Sequence, residues 1–136
     1  MNKPMRQTNE RKRELLTLCV RALDDKKAEK IRILDVSEIS SITDYLVIAS
    51  GTSEPHLRAL GQEVSRTLKE NKQSMVGHEL NPQSGWTVLD AHDVIVHIFL
   101  PEKRELYQLD ALWKDGHAID LSEFVEIPEP AGRGKR

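Results

Sequence analysis

Ser40-Ser41-Ile42-Thr43-Asp44-Tyr45-Leu46-Val47-Ile48-Ala49-Ser50-Gly51-Thr52-Ser53 is the stretch on which the fold turns. A polar loop gives way to a short apolar run, Tyr45 to Ala49, which reads as a buried strand. Gly51-Thr52-Ser53 then delivers the chain into a helix opening near Pro55. Either hydroxyl can cap the orphan amides of that helix. Proline is tolerated there because first-turn amides have no intrahelical acceptor.

Outward from this junction the periodicity predicts the remaining elements. The helix after Pro55 carries Leu57, Leu60, Val64 and Leu68 at steps of three and four, and stops around Glu70-Asn71. Upstream, Leu15, Cys19, Ala22 and Leu23, widened by Leu16 and Val20, form the stripe of a first helix ending near Asp25. Ile31 to Val36 predicts a strand whose Ile31 and Ile33 face one side and Leu34 and Val36 the other, so both of its faces are covered. Downstream, Ser74 to Leu80 predicts a short strand and Asn81 to Gly85 a loop. Trp86 to Asp90 and Val94 to Phe99 predict a hairpin around Ala91-His92. Pro101 opens a last helix with Leu106, Leu109, Leu112 and Trp113 as its inner stripe, stopped by Gly116. The order argues for a single small α/β (α+β) domain, a mixed sheet with helices packed on it. Its expected parts are a flexible N-terminus at 1–10, the domain at 11–116, and an extension at 117–136, disordered from about residue 128.

The 136 residues suffice for one core without staples, and the net charge of −2 gives no global electrostatic case for nucleic-acid binding. No apolar run approaches the ~18 residues of a membrane span. The basic first residues lack the apolar core of a signal peptide, and the single cysteine fits a reducing compartment, so a cytoplasmic protein is expected. Cys19, on the apolar stripe, reads as a buried small hydrophobe and not a nucleophile.

Catalytic chemistry is hard to find. Strand, glycine turn and helix can bind phosphate, but this turn has one glycine, no following lysine and neither of the glycine-rich phosphate-binding patterns. Nucleotidyl transfer needs paired carboxylates at D-x-D or D-x-E spacing to bridge two metal ions, and that spacing occurs nowhere in the chain. Asp90 and Asp93 read as turn formers. The five histidines offer no metal-binding arrangement, and His97, amid Val and Ile, reads as a hydrogen-bonded structural residue. No cofactor, metal or catalytic residue is expected. The aromatics are more informative: Trp86, Phe99, Tyr107 and Trp113, four of six in the chain, fall between 86 and 113. Phe99 and Trp113 read as core. Trp86 and Tyr107 are interface candidates, with Arg104 as an anchor through its planar fork.

Three motifs in order, Asp35-Val36, Ser41-Ile42-Thr43-Asp44 through Gly51-Thr52-Ser53, and Trp86 through Trp113, resemble the ribosomal silencing factor family (RsfS, Iojap-like). The resemblance runs from about Leu15 to Trp113. Pro55 stands where that family usually has a basic or polar residue, and His92 where a turn glycine is usual. The resemblance implies a nucleotidyltransferase-like fold without catalytic carboxylates, and a non-enzymatic repressor. It implies binding to the large ribosomal subunit through ribosomal protein L-fourteen, blocking of small-subunit joining, and repression of translation, notably in starvation. It places the binding surface at Trp86, Arg104, Tyr107 and Leu109, and homodimers are frequent in the family. Neither a membrane nor a sequence-specific nucleic acid is an expected partner. Two other readings are a nucleotide-binding or nucleotidyltransferase enzyme using Gly51-Thr52-Ser53, and a dimeric adaptor with another partner.

Overall fold

A computed structural model describes residues 3–125, except for the side chains of 3–9 and 78–82. The tail expected from about residue 128, the first two residues and the His78 side chain lie outside the described residues. The first helix, α1 (Lys3–Asp25), starts well before the residues that carry its apolar stripe. Next come β1 (Glu29–Asp35), β2 (Tyr45–Ser50) and α2 (Glu54–Glu70). They are followed by β3 (Gly77–Asn81), a short turn of 3-10 helix at Pro82–Ser84, β4 (Trp86–Asp90) and β5 (Val94–Phe99). Asn81, read as loop, is therefore the last residue of a strand.

The strands form one six-stranded mixed sheet in the order β3-β4-β5-β2-β1, closed at the far edge by a strand after Gly116. Only β2 and β5 run parallel, with Ile48 beside His97; every other pair is antiparallel. These two centre the sheet, and their near-continuous apolar runs suit strands covered on both faces. One face packs on α1 and α2. Leu16, Cys19, Leu23, Leu57, Leu60 and Leu68 meet Val47, Val96 and Ile98 there, all buried. The other face gathers Leu34, Val36, Leu46, Ile48 and Phe99, with Trp86, Ile95, Leu109 and Trp113 partly buried against them. The division of β1 between two faces is thus observed: Ile33 joins the helix side and Leu34 the other.

Two expectations are corrected. The last helix is broken. It comprises α3 (Pro101–Tyr107) and α4 (Leu109–Leu112), separated by Gln108 in the left-handed region at φ 51°. That one residue changes the helical phase. Leu109 and Trp113 turn to the sheet, while Leu106 and Leu112 are 65% and 72% exposed, so the predicted four-residue inner stripe does not exist. The chain beyond Gly116 also adds an element the periodicity did not show. The three-residue β6 (His117–Ile119) pairs with β1, and Phe124 after it is buried in the α1–α2 core. Three residues are too few for a strand pattern to register in sequence.

Candidate functional site

Trp86 is placed by Gly85, whose φ of +80° suits glycine and whose carbonyl accepts from the Leu100 amide at 3.0 Å. A Cβ at Gly85 would stand 2.6 Å from the Lys103 side chain of α3 and force it to move. The hairpin register sets Trp86 opposite Phe99. Alternation along β5 puts His97 on the same face as Phe99. The ring centroids of Trp86 lie 5.2 Å from Phe99, 5.9 Å from His97 and 5.0 Å from Tyr107. His97 and Phe99 stack at 6.1 Å with ring planes nearly parallel, 6° apart. Exposure rises across the stack, from buried Phe99 through half-buried Trp86 to Tyr107 at 47%.

The Trp86 indole N–H donates to His97 Nδ1 at 3.2 Å, which assigns the neutral imidazole with its proton on Nε2. Burial drives the His97 pKa down to about 4, which keeps the ring neutral. The structural reading of His97 therefore agrees with its geometry.

Arg104 points elsewhere. Its side chain is only 12% exposed and turns to β1 and β2. Nε and Nη2 donate to the two Asp110 carboxylate oxygens at 3.0 and 3.2 Å, and Nη1 donates to Lys30 O at 2.8 Å and Ser50 Oγ at 2.9 Å. Arg32 donates to the same Asp110 carboxylate at 3.1 Å. Burial works against ionisation of Asp110, but the bonds and charge of Arg104 and Arg32 prevail and hold its carboxyl below the usual range. Of the four residues named from sequence, Trp86 and Tyr107 are in contact and Leu109 lies on the same sheet face. Arg104, one turn before Tyr107 on α3, is not among the stacked rings and reaches instead to Lys30, Ser50 and Asp110. The sequence reading places Phe99 only in the core and gives His97 only a structural role. Their membership of the stack follows from pairing the hairpin at Ala91-His92 and counting alternate residues.

The glycine turn is occupied by its own chain. Gly51 N–H donates to Phe99 O at 2.9 Å, Thr52 N–H donates to His56 Nδ1 at 2.9 Å, and Ser53 Oγ accepts from His56 N at 3.2 Å. His56 Nε2 in turn donates to Lys26 O at 2.7 Å. A Cβ at Gly51 would come within 2.8 Å of Leu57 Cδ2, so helix packing accounts for the glycine. Asp90 Oδ1 accepts from the His92 amide at 3.0 Å and shapes the hairpin turn. Cys19 is fully buried, which pushes its thiol up to about 12. Among the described residues, no group of three or more His, Cys, Asp or Glu could hold a metal ion, and no helix is long and apolar enough to cross a membrane.

A family model described as "Ribosomal silencing factor during starvation" matches residues 9–135. The chain is 37% identical over 112 residues to the ribosomal silencing factor RsfS of Halalkalibacterium halodurans, covering 82% of this chain and 96% of that one. It is 33% identical over 101 residues to a Mus musculus protein named "Mitochondrial assembly of ribosomal large subunit protein 1", covering 72% of this chain and 44% of that one. A crystal structure of a Chromobacterium violaceum protein superimposes with a TM-score of 0.72 at 37% identity, covering 75% of this chain and 85% of the other.

Proposed function

The chain belongs to the ribosomal silencing factor family, and on that premise we propose that it represses translation by occupying the large ribosomal subunit. It docks through ribosomal protein L-fourteen and prevents the small subunit from joining. The observation that carries this reading is the graded aromatic stack of Trp86, Phe99 and Tyr107 on the sheet face away from α1 and α2. Rigid aromatics with one edge buried and one exposed are what a protein interface uses for its anchors. The name of the mouse relative supports the large subunit as partner. A net charge of −2 favours a protein patch over bulk RNA as the main contact.

The mechanism is steric. A 15.5 kDa body seated on a joining surface excludes a second subunit without chemistry. Trp86, Tyr107 and Leu109 form the docking face in this reading. The proposal includes a cytoplasmic location and the homodimer frequent in the family, and it includes no enzymatic step. Nucleotidyl transfer at Gly51–Ser53 has no observation in its favour, because the Gly51 and Thr52 amides are already bonded within the chain.

The test is co-sedimentation with isolated subunits. The protein is expected to pellet with large subunits, not with small ones, and to remain bound at moderate salt. Equal pelleting with both, or complete release at moderate salt as phosphate-dominated contact predicts, contradicts the proposal.

A further inference from the structure

The helical elbow of α3 and α4 carries two residues of the proposed docking face, Tyr107 and Leu109. None of its residues is buried. Between it and the ends of β1 and β2 lies an open cavity of about 630 Å³, walled by Lys30, Arg32 and Ser50 on the sheet and by Pro101, Gln108 and Ala111 on the elbow. A helix of four residues such as α4 cannot sustain itself on backbone bonds alone. Something must fix its angle to α3 across the left-handed Gln108.

The Arg104 guanidinium spans that gap. Arg104 stands on α3 and Asp110 on α4, and the two-pronged bond between them closes the elbow across Gln108. The remaining bonds, to Lys30 O and Ser50 Oγ, tie the closed elbow to the sheet. The sheet is shaped to receive them. Glu29 pairs with Ser50 and Arg32 with Ile48, so Lys30 falls in a bulge, and its φ of 50° is left-handed. Bulges re-aim backbone groups in this way. The carboxylate of Asp110 is anchored from β1 as well, by Arg32.

We propose that Arg104 is a positioning residue for the docking face and not itself a partner contact: with Asp110 it clasps the elbow and holds Tyr107 over Trp86. This rests on the docking face assigned above. Lysine cannot substitute, because one ammonium on a flexible stem cannot reach Asp110, Ser50 and Lys30 O together in a planar fork.

Arg104→Lys, Asp110→Asn and the double variant test this, each in a Trp113→Phe background that leaves Trp86 as the only indole. Three readouts are needed: the thermal midpoint, the near-ultraviolet circular dichroism of Trp86 without ribosomes, and large-subunit affinity by titrated pelleting. Each single variant is expected to stay folded, to alter the Trp86 band and to bind about tenfold more weakly, with the double variant no worse than either, as coupled residues behave. Normal binding by Asp110→Asn beside weak binding by Arg104→Lys would make Arg104 a direct contact and overturn the proposal. An unchanged Trp86 band in both would also overturn it. Should either variant lose its thermal transition, Ser50→Ala removes a single bond, and an unaltered band there counts against the clasp. If the parent protein fails to pellet with large subunits, the functional reading falls, while the Trp86 band still decides the clasp.

Discussion

On the face of the sheet that α1 and α2 cover, Leu16, Leu57, Leu60 and Leu68 are at most 1% exposed and meet strand residues that are equally buried. On the opposite face the covering elements α3 and α4 contain no buried residue, and the rings of Trp86 and Tyr107 extend the buried cluster of Leu34, Leu46 and Phe99 toward the surface. The first face is closed by long amphipathic helices and completes the core. The second is built from rings that lose little side-chain freedom when a partner covers them. If the proposed docking face is right, recognition falls on the side of the sheet where α3 and α4 leave rings exposed, and substitutions there and under α1 and α2 should separate accordingly.

Leu60→Ala gives the largest effect. It empties a fully buried site between α2 and the sheet, at an expected cost of about 2–5 kcal/mol of stability. Chemical denaturation reads this, and the folded fraction should bind large subunits normally. Tyr107→Ala reverses the pattern. It should weaken large-subunit binding by roughly 1–3 kcal/mol, as a truncated anchor does. Its stability loss should stay under about 1 kcal/mol, because the ring is 47% exposed. If Tyr107→Ala unfolds the domain, the two faces are not separate in role.

Acid sharpens the comparison at His97. The ordinary histidine pKa of 6.5 applies to the unfolded chain, while the folded value is lowered to about 4. The unfolded state therefore binds the proton first, and stability falls as pH drops from 6.5 towards 4. The neutral-ring contribution is intact above that window and spent below it. Between pH 7 and pH 5 this amounts to roughly 2 kcal/mol. Wild type should show this slope and His97→Gln should lack it, in parallel urea titrations at both pH values. Parallel slopes would mean that the stack does not bury the ring. The smallest effect belongs to Leu112→Ala, expected within about 0.5 kcal/mol of wild-type stability because the side chain is 72% exposed. A loss above about 2 kcal/mol would restore an unbroken last helix with Leu112 inside.

Legibility in the sequence follows the same division. The α1–α2 face was readable because its information is local: the spacings Leu15-Cys19-Ala22 and Leu57-Leu60-Val64-Leu68 declare their helices, and all seven side chains are buried. Trp86 and Tyr107 could be named because aromatics concentrate near the hairpin, but their contact depends on strand register and on the φ of +80° at Gly85. The break at Gln108 was hidden because glutamine is a good helix former and nothing local announces its φ of 51°. That single dihedral turned Leu106 and Leu112 outward. The orientation of Arg104 was hidden too, since its partners Lys30, Ser50 and Asp110 come from three other elements. His92 is the opposite case. It stands where the family usually has glycine, and its φ of 70° is the left-handed conformation that glycine adopts without strain.

Amide hydrogen exchange, measured on the protein alone and with purified large subunits, reads directly which face a partner covers. Added protection is expected at β4 near Trp86 and along residues 101–113, with exchange from the outer side of α1 and α2 unchanged. Protection confined to α1 and α2, or none under conditions where the protein pellets with large subunits, would contradict the assignment of recognition to the aromatic face.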